Sequence, residues 1–195
     1  MTDFSVYFIF AAVSYLLGSI NTGILVSKIL YNDDIRSYGS HNAGATNILR
    51  TYGKKAAAIT VVGDALKGVA AIFLVKLFYR IFAAFHLPDI QSVTYTAAFF
   101  AVLGHNFPLY FGFKGGKGVL TSIAVIITLD PFLGLATLLI SVLIMAVTKY
   151  VSLGSVMGAV LAVAFSVFFR TDNIRFIILC SLLAALIVYR HRSNI

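Results

Sequence analysis

Residues 110–118 read Tyr-Phe-Gly-Phe-Lys-Gly-Gly-Lys-Gly, four glycines and two lysines in one short stretch. Glycine lets successive backbone N–H groups point into one concavity, and such concavities bind anions. Lys114, Gly115, Gly116 and Lys117 therefore read as a phosphate cradle, with two ammonium groups beside the amides and a helix N-terminus just after them. A second polar island runs from Gly39 to Arg50 and holds Ser40, Asn42, Thr46, Asn47 and Arg50. An arginine can grip a phosphate through two parallel hydrogen bonds, while hydroxyls and amides suit a polyol. The blander alternative makes the lysines ordinary loop cations and the polar side chains helix caps. The density of glycine and cation in both islands favours a site.

The cradle is not a Walker A loop, which needs Gly-Lys followed by Ser or Thr; Lys117 is followed by Gly118. Four histidines are present: His41, His86, His105 and His191. His105-Asn106 leads into the glycine loop, and His191 lies three residues before Asn194 near the chain end. No pair of histidines has metal-ligand spacing, so no catalytic metal and no cofactor are expected. None has an aspartate five residues on, and no serine–histidine–carboxylate set stands out. Ser152 and Ser155 sit at the start of an apolar run, where they either meet substrate or cap a helix. Asp64 and Lys67 are three residues apart on one helical face, and a self-neutralising structural pair is the first reading. Gly154 and Gly158 form a small-x-x-x-small pattern, a sign of close helix packing.

These residues must be positioned by very apolar elements. The chain has 195 residues, 60% of them hydrophobic and only 11% charged. Soluble domains carry roughly 25% charged residues, so the composition indicates an all-α integral membrane protein forming a single multi-span domain over 1–195. The length needed to cross a hydrocarbon core of ~30 Å places seven transmembrane helices at about 4–27, 55–79, 93–110, 118–129, 131–148, 153–169 and 174–190. Asp130-Pro131 fixes the end of the fourth, because a residue before proline avoids helix. Asp3 stands where a cleaved signal peptide would carry a basic residue, so the first span is expected to be retained.

One set of connections holds Lys28, Arg36, Arg50, Lys54, Lys55, Lys114, Lys117, Lys149, Arg190 and Arg192; the other holds only Lys76, Arg80, Arg170 and Arg175. Positive residues stay inside, which puts the N-terminus outside and the C-terminus in the cytoplasm. Both islands, the turn at 149–155 and the terminal segment 189–195 then share the cytoplasmic face. A net charge of +8 is dispersed between apolar runs rather than gathered on one exposed face, which argues against nucleic acid. A monomer is assumed.

The ordered motifs resemble those of the bacterial acyl-phosphate:glycerol-3-phosphate acyltransferases, the PlsY family. The resemblance is carried by Gly18-Ser19-Ile20-Asn21-Thr22-Gly23, Asp34-Ile35-Arg36, the Gly39–Arg50 island, Gly63-Asp64-Ala65-Leu66-Lys67-Gly68, the segment from Gly104-His105-Asn106 to Val119, Ser152-Leu153-Gly154-Ser155 and His191-Arg192-Ser193-Asn194-Ile195. It covers nearly the whole chain. His41 and Ala43 stand where the family has Gly or Pro, and members usually continue past the Asn-Ile with a short tail. The resemblance implies attack of the sn-1 hydroxyl of glycerol 3-phosphate on a fatty acyl phosphate, giving lysophosphatidic acid and inorganic phosphate at the bacterial inner membrane. On that footing Lys114, Lys117 and Arg50 hold phosphates, Ser40, Thr46, Asn47, Ser155 and Asn194 position polyol and carbonyl, and Asn42, His105, Asn106, Gly115, Gly116 and Ser152 complete the substrate site. His191 is the best protein base, with Ser40 and Lys117 also catalytic; the substrate's own phosphate is the other candidate base. The rival reading is a transporter for an organic phosphate, since broken helices suit both.

Overall fold

The computed structural model describes residues 2–194, which form helices and turns without a strand among them. Nine α-helices follow in order: α1 Asp3–Ser19, α2 Thr22–Tyr31, α3 Ala45–Tyr52, α4 Lys54–Ile81, α5 Ile90–Asn106, α6 Val119–Leu129, α7 Pro131–Thr148, α8 Val151–Phe169 and α9 Ile174–His191. Five apolar segments are long enough to cross a membrane: α1 with α2, α4, α7, α8 and α9. Of the other two expected spans, α5 has 17 residues and α6 only 11.

The first expected span is not one helix. It breaks at Ile20 and Asn21, which are extended, and Asn21 restarts it by accepting a hydrogen bond from Ile24 N–H through Oδ1. A break deep in an apolar bundle strands backbone polar groups, which must find partners. Here the buried pair on α4 supplies them. Lys67 Nζ donates to Ile20 O at 2.9 Å, Asp64 Oδ1 accepts from Thr22 N–H at 3.3 Å, and the pair itself closes at 2.9 Å. The structural reading of Asp64 and Lys67 thus becomes specific, because the two side chains splice α1 to α2.

The third expected span also ends early, at Asn106 rather than 110. Pro108 has no N–H to continue the helix and forces the residue before it out of helical geometry. The expected turn at 149–155 shrinks to Lys149 and Tyr150, with Val151 already helical. Asp130 fixes the α6–α7 junction as expected. It ends α6 and caps α7 through Oδ1 to Leu133 N–H, with Pro131 in the first turn.

Small residues set the packing. A Cβ at Gly18 would run into the Ala101 carbonyl, and one at Gly104 into the Tyr15 carbonyl. Helices α1 and α5 therefore touch backbone to backbone. Gly154 and Gly158 leave room for the side chains of Met145 and Ser141 on α7. The main core gathers Ile72, Val102, Val125, Leu133, Phe176 and Leu183, buried between α4, α5, α6, α7 and α9.

Candidate active site

Both islands, the α7–α8 turn and the C-terminal segment meet at one end of the bundle. Two clefts open there. A polar cleft of about 1010 Å³ is lined by Arg36, His41, Lys114, Arg190, Arg192 and Ser193 among others. A second, of about 480 Å³, runs from Thr46 and Arg50 between α6, α7 and α8, past Leu120, Ile123, Leu138, Val142 and Ala162. Ser40, Asn42, Lys117 and Asn194 line both, so they mark the junction of a polar and an apolar compartment.

The glycine loop differs from the expected cradle. Gly115 N–H donates to Asn106 O at 3.3 Å and Gly116 N–H to His105 O at 3.1 Å, so neither amide is left for an anion. Their carbonyls are taken as well, by Arg190 Nη2 at 3.0 Å and Nε at 3.1 Å. Glycine is needed here for space: a Cβ at 115 would strike the His105 carbonyl, and one at 116 the His105 ring. The loop is thus a clamp that seats Lys117.

The free amides lie elsewhere. Helices that begin at the far end are capped by their own side chains: Asp89 caps α5, Asp130 α7 and Asn173 α9. Helices that begin at the mouth, α3 after Gly44, α6 after Gly118 and α8 after Tyr150, have no side-chain cap. All three of these N-termini line the apolar cleft's entrance. Uncapped N-termini offer N–H groups and a positive dipole end to an anion. Gly118 makes the α6 start possible with φ of 78°, a left-handed value that favours glycine.

The remaining expected residues divide into those free to act and those committed to the scaffold. Ser40, Asn42, Thr46, Arg50, Lys114 and Ser152 have no side-chain hydrogen bond among the described residues, and each lines a cleft. Lys117 donates to Asn194 Oδ1. Half-burial, with Arg190 nearby, holds the Lys117 ammonium below the usual lysine range. His191 Nδ1 lies 2.8 Å from Ile187 O, and a carbonyl can only accept, so the proton sits on Nδ1 and Nε2 keeps its lone pair. His191 also lines the apolar cleft. Ser155 donates to Val151 O at 2.9 Å, which leaves its oxygen as an acceptor.

Asn47 corrects the expectation of a substrate contact. Its Oδ1 accepts from Ser40 N–H at 3.1 Å, and its Nδ2 serves Tyr38 O at 2.9 Å, Asn42 O at 3.0 Å and Ile35 O at 3.3 Å. That amide is committed to folding the island around itself. The side-chain amide of Asn106, fully buried under Gly118, has no hydrogen-bond partner among the described residues, and Asn106 lines neither cleft. His105 borders the cleft but gives its Nδ1 to Lys67 at 2.8 Å. Ile195 lies outside the described residues.

Two arginines escaped the sequence reading as site builders. Arg36 pairs with Asp34 at 2.7 Å and sends Nη1 to Phe111 O at 2.8 Å and Lys114 O at 3.3 Å, which ties the two islands together. That pairing holds the Asp34 carboxyl below the usual carboxylate range. Arg190 anchors the glycine loop while lying over the Phe107 ring. Charge in the terminal segment marks Arg190 in the sequence, and Arg36 stands close to an island and falls in the Asp34-Ile35-Arg36 motif.

Residues 8–195 match the family described as Glycerol-3-phosphate acyltransferase. A glycerol-3-phosphate acyltransferase of Clostridioides difficile is 42% identical over 189 residues, covering 97% of this chain and 90% of that relative. One of Geobacillus kaustophilus is 43% identical over 183 residues, covering 94% and 87%. Among solved structures, the chain is similar to PlsY (YgiH), an integral membrane glycerol 3-phosphate acyltransferase, in its glycerol 3-phosphate form, with a TM-score of 0.84, 34% identity, and coverage of 96% and 89%. The lysophosphatidic acid form of that protein matches with a TM-score of 0.81 and 32% identity.

Proposed function

The chain belongs to the glycerol-3-phosphate acyltransferase family, the PlsY family, whose members are integral membrane proteins, and we propose that it transfers a fatty acyl group from acyl phosphate to the sn-1 hydroxyl of glycerol 3-phosphate. The products are 1-acylglycerol 3-phosphate and inorganic phosphate. The observation that carries this reading is the junction itself: a cationic cleft and an apolar cleft share Ser40, Asn42, Lys117 and Asn194. A small polyanion and a lipid chain need opposite surroundings, and only such a junction lets their reactive atoms meet.

In this scheme glycerol 3-phosphate enters the polar cleft, where Lys114 and Lys117 offset its charge. The acyl phosphate lies along the apolar cleft with its phosphate at Arg50 and the uncapped starts of α3 and α6. The sn-1 oxygen attacks the acyl carbon, its proton passes to His191 Nε2, and the ester C–O bond forms. The anhydride C–O bond breaks, and phosphate leaves with the electron pair. Ser40 and Asn194 orient the hydroxyl and the carbonyl. Phosphate is already a good leaving group, so strong acid catalysis is not required.

The topology that fits is a single seven-span domain in the bacterial inner membrane. Its N-terminus lies outside, and the C-terminus and both clefts face the cytoplasm. There the enzyme would perform the first acylation of phospholipid synthesis.

The test is a donor assay. Purified protein is given glycerol 3-phosphate with palmitoyl phosphate, palmitoyl-CoA or palmitoyl acyl carrier protein. Lysophosphatidic acid is expected from the acyl phosphate alone. Product from a thioester and none from the phosphate would overturn the choice of donor.

A further inference from the structure

The apolar cleft has a definite far wall. On α8 the residues that line it are small: Gly158, Ala159 and Ala162. Gly158 lies so close to α7 that a Cβ there would meet Ser141 Oγ, so no gap opens between the two helices at that level. Ala162 sits about three helical turns beyond Val151 at the mouth, a rise of roughly 16 Å. Past it the space is filled, because Ala162 is itself part of the packed core with Leu133, Phe176 and Leu183. Protein interiors are close-packed, so a chain that reaches Ala162 must stop, turn out into lipid or displace the core.

We propose that Ala159 and Ala162 set the acyl-chain length this protein accepts, with Ala162 closing the cleft. The inference rests on reading the apolar cleft as the acyl site. Each α8 position acts at a different depth. A large side chain at 162 removes room only from long chains, while one at 159, a turn nearer the mouth, also removes it from shorter ones. A difference of one methylene in an apolar pocket is worth roughly 10- to 200-fold in discrimination.

The experiment measures binding of 1-decanoyl-, 1-lauroyl- and 1-palmitoylglycerol 3-phosphate to the full chain in nanodiscs, by calorimetry. Ala162→Phe should lower the palmitoyl-to-lauroyl affinity ratio by about tenfold or more. Ala159→Phe should also lower the lauroyl-to-decanoyl ratio. Ala162→Val, a smaller step that the core accommodates more easily, should move the first ratio in the same direction and guards against a phenylalanine variant that fails to fold. Ratios unchanged in folded variants would overturn the proposal, and so would a wild type indifferent to chain length. The acylated product is the same whichever donor supplies the chain, so a failure of acyl phosphate in the donor assay leaves this measurement decisive.

Discussion

Lys67 Nζ donates to His105 Nδ1 across 2.8 Å, so a lysine on α4 decides which nitrogen of a histidine on α5 carries the proton. An ammonium group has three donors and no acceptor. Lys67 directs the other two to Asp64 Oδ1 and Ile20 O. The Asp64 carboxylate lies 3.6 Å from the same Nδ1, beyond good hydrogen-bond reach. His105 therefore keeps its proton on Nε2, the atom packed against Gly116. One buried lysine thus links the splice in the first span to the loop that seats Lys117.

Removing that lysine should be costly. Lys67→Met strands the Asp64 carboxylate and the Ile20 carbonyl, and leaving a buried charge unpaired costs about 3–5 kcal/mol. Thermal unfolding in detergent should show a large drop in Tm, and the Lys67→Met, Asp64→Leu double variant should recover part of it. Equal loss in single and double variants would dissociate the pair from the splice.

His191→Ala tests the proton path. A positioned general base contributes roughly 10²- to 10⁴-fold, so kcat should fall by that order while the KM for glycerol 3-phosphate changes little. A near-normal kcat would move the base role to the substrate's phosphate.

The glycines separate by space. Gly116→Ala drives a methyl into the His105 ring and should abolish activity, as should Gly115→Ala against the His105 carbonyl. Gly44→Ala meets only the flexible end of Asn42 at 3.4 Å and has ordinary φ, so it should retain most activity. Similar losses at 44 and 116 would contradict the clamp.

The Asp34–Arg36 tie should show in acid. The folded-state pKa of Asp34 is lowered, first by its hydrogen bond from Arg36. The stabilisation is then complete above the unfolded carboxylate value of about 3.9 and fades as pH falls through the lowered value. Wild type should keep the islands tied at pH 5, and Asp34→Asn should loosen them at every pH. Amide exchange at residues 111–114 reads this directly; no difference between the two proteins would remove the tie.

Thr137 Oγ1 is buried in the apolar cleft without a partner among the described residues. An unpaired buried hydroxyl costs about 1–3 kcal/mol, so Thr137→Val should leave Tm unchanged or raise it. A clear loss of Tm would show that the hydroxyl has a partner in the membrane.

Much of this was readable along the chain. Composition alone indicated the membrane, because 11% charged residues cannot cover a soluble surface. Asp130-Pro131 marked a junction, since proline acts on its immediate neighbours. The two islands are legible because glycine and cation density is a local property. The tertiary structure decided what depends on partners far away in sequence. Whether Gly115 and Gly116 offer their amides depends on the carbonyls at the end of α5, which claim them. Whether Asn47 faces substrate depends on a loop that folds round its amide. The break at Ile20 is invisible to hydropathy, because Lys67, 47 residues away, supplies the hydrogen bond that lets an apolar segment stop being helical. The amides left without a side-chain cap lie at three helix starts rather than in a glycine nest, because partners distant in sequence claim those of Gly115 and Gly116. A sequence states which groups are polar, and only the packed chain determines which of them are already spoken for.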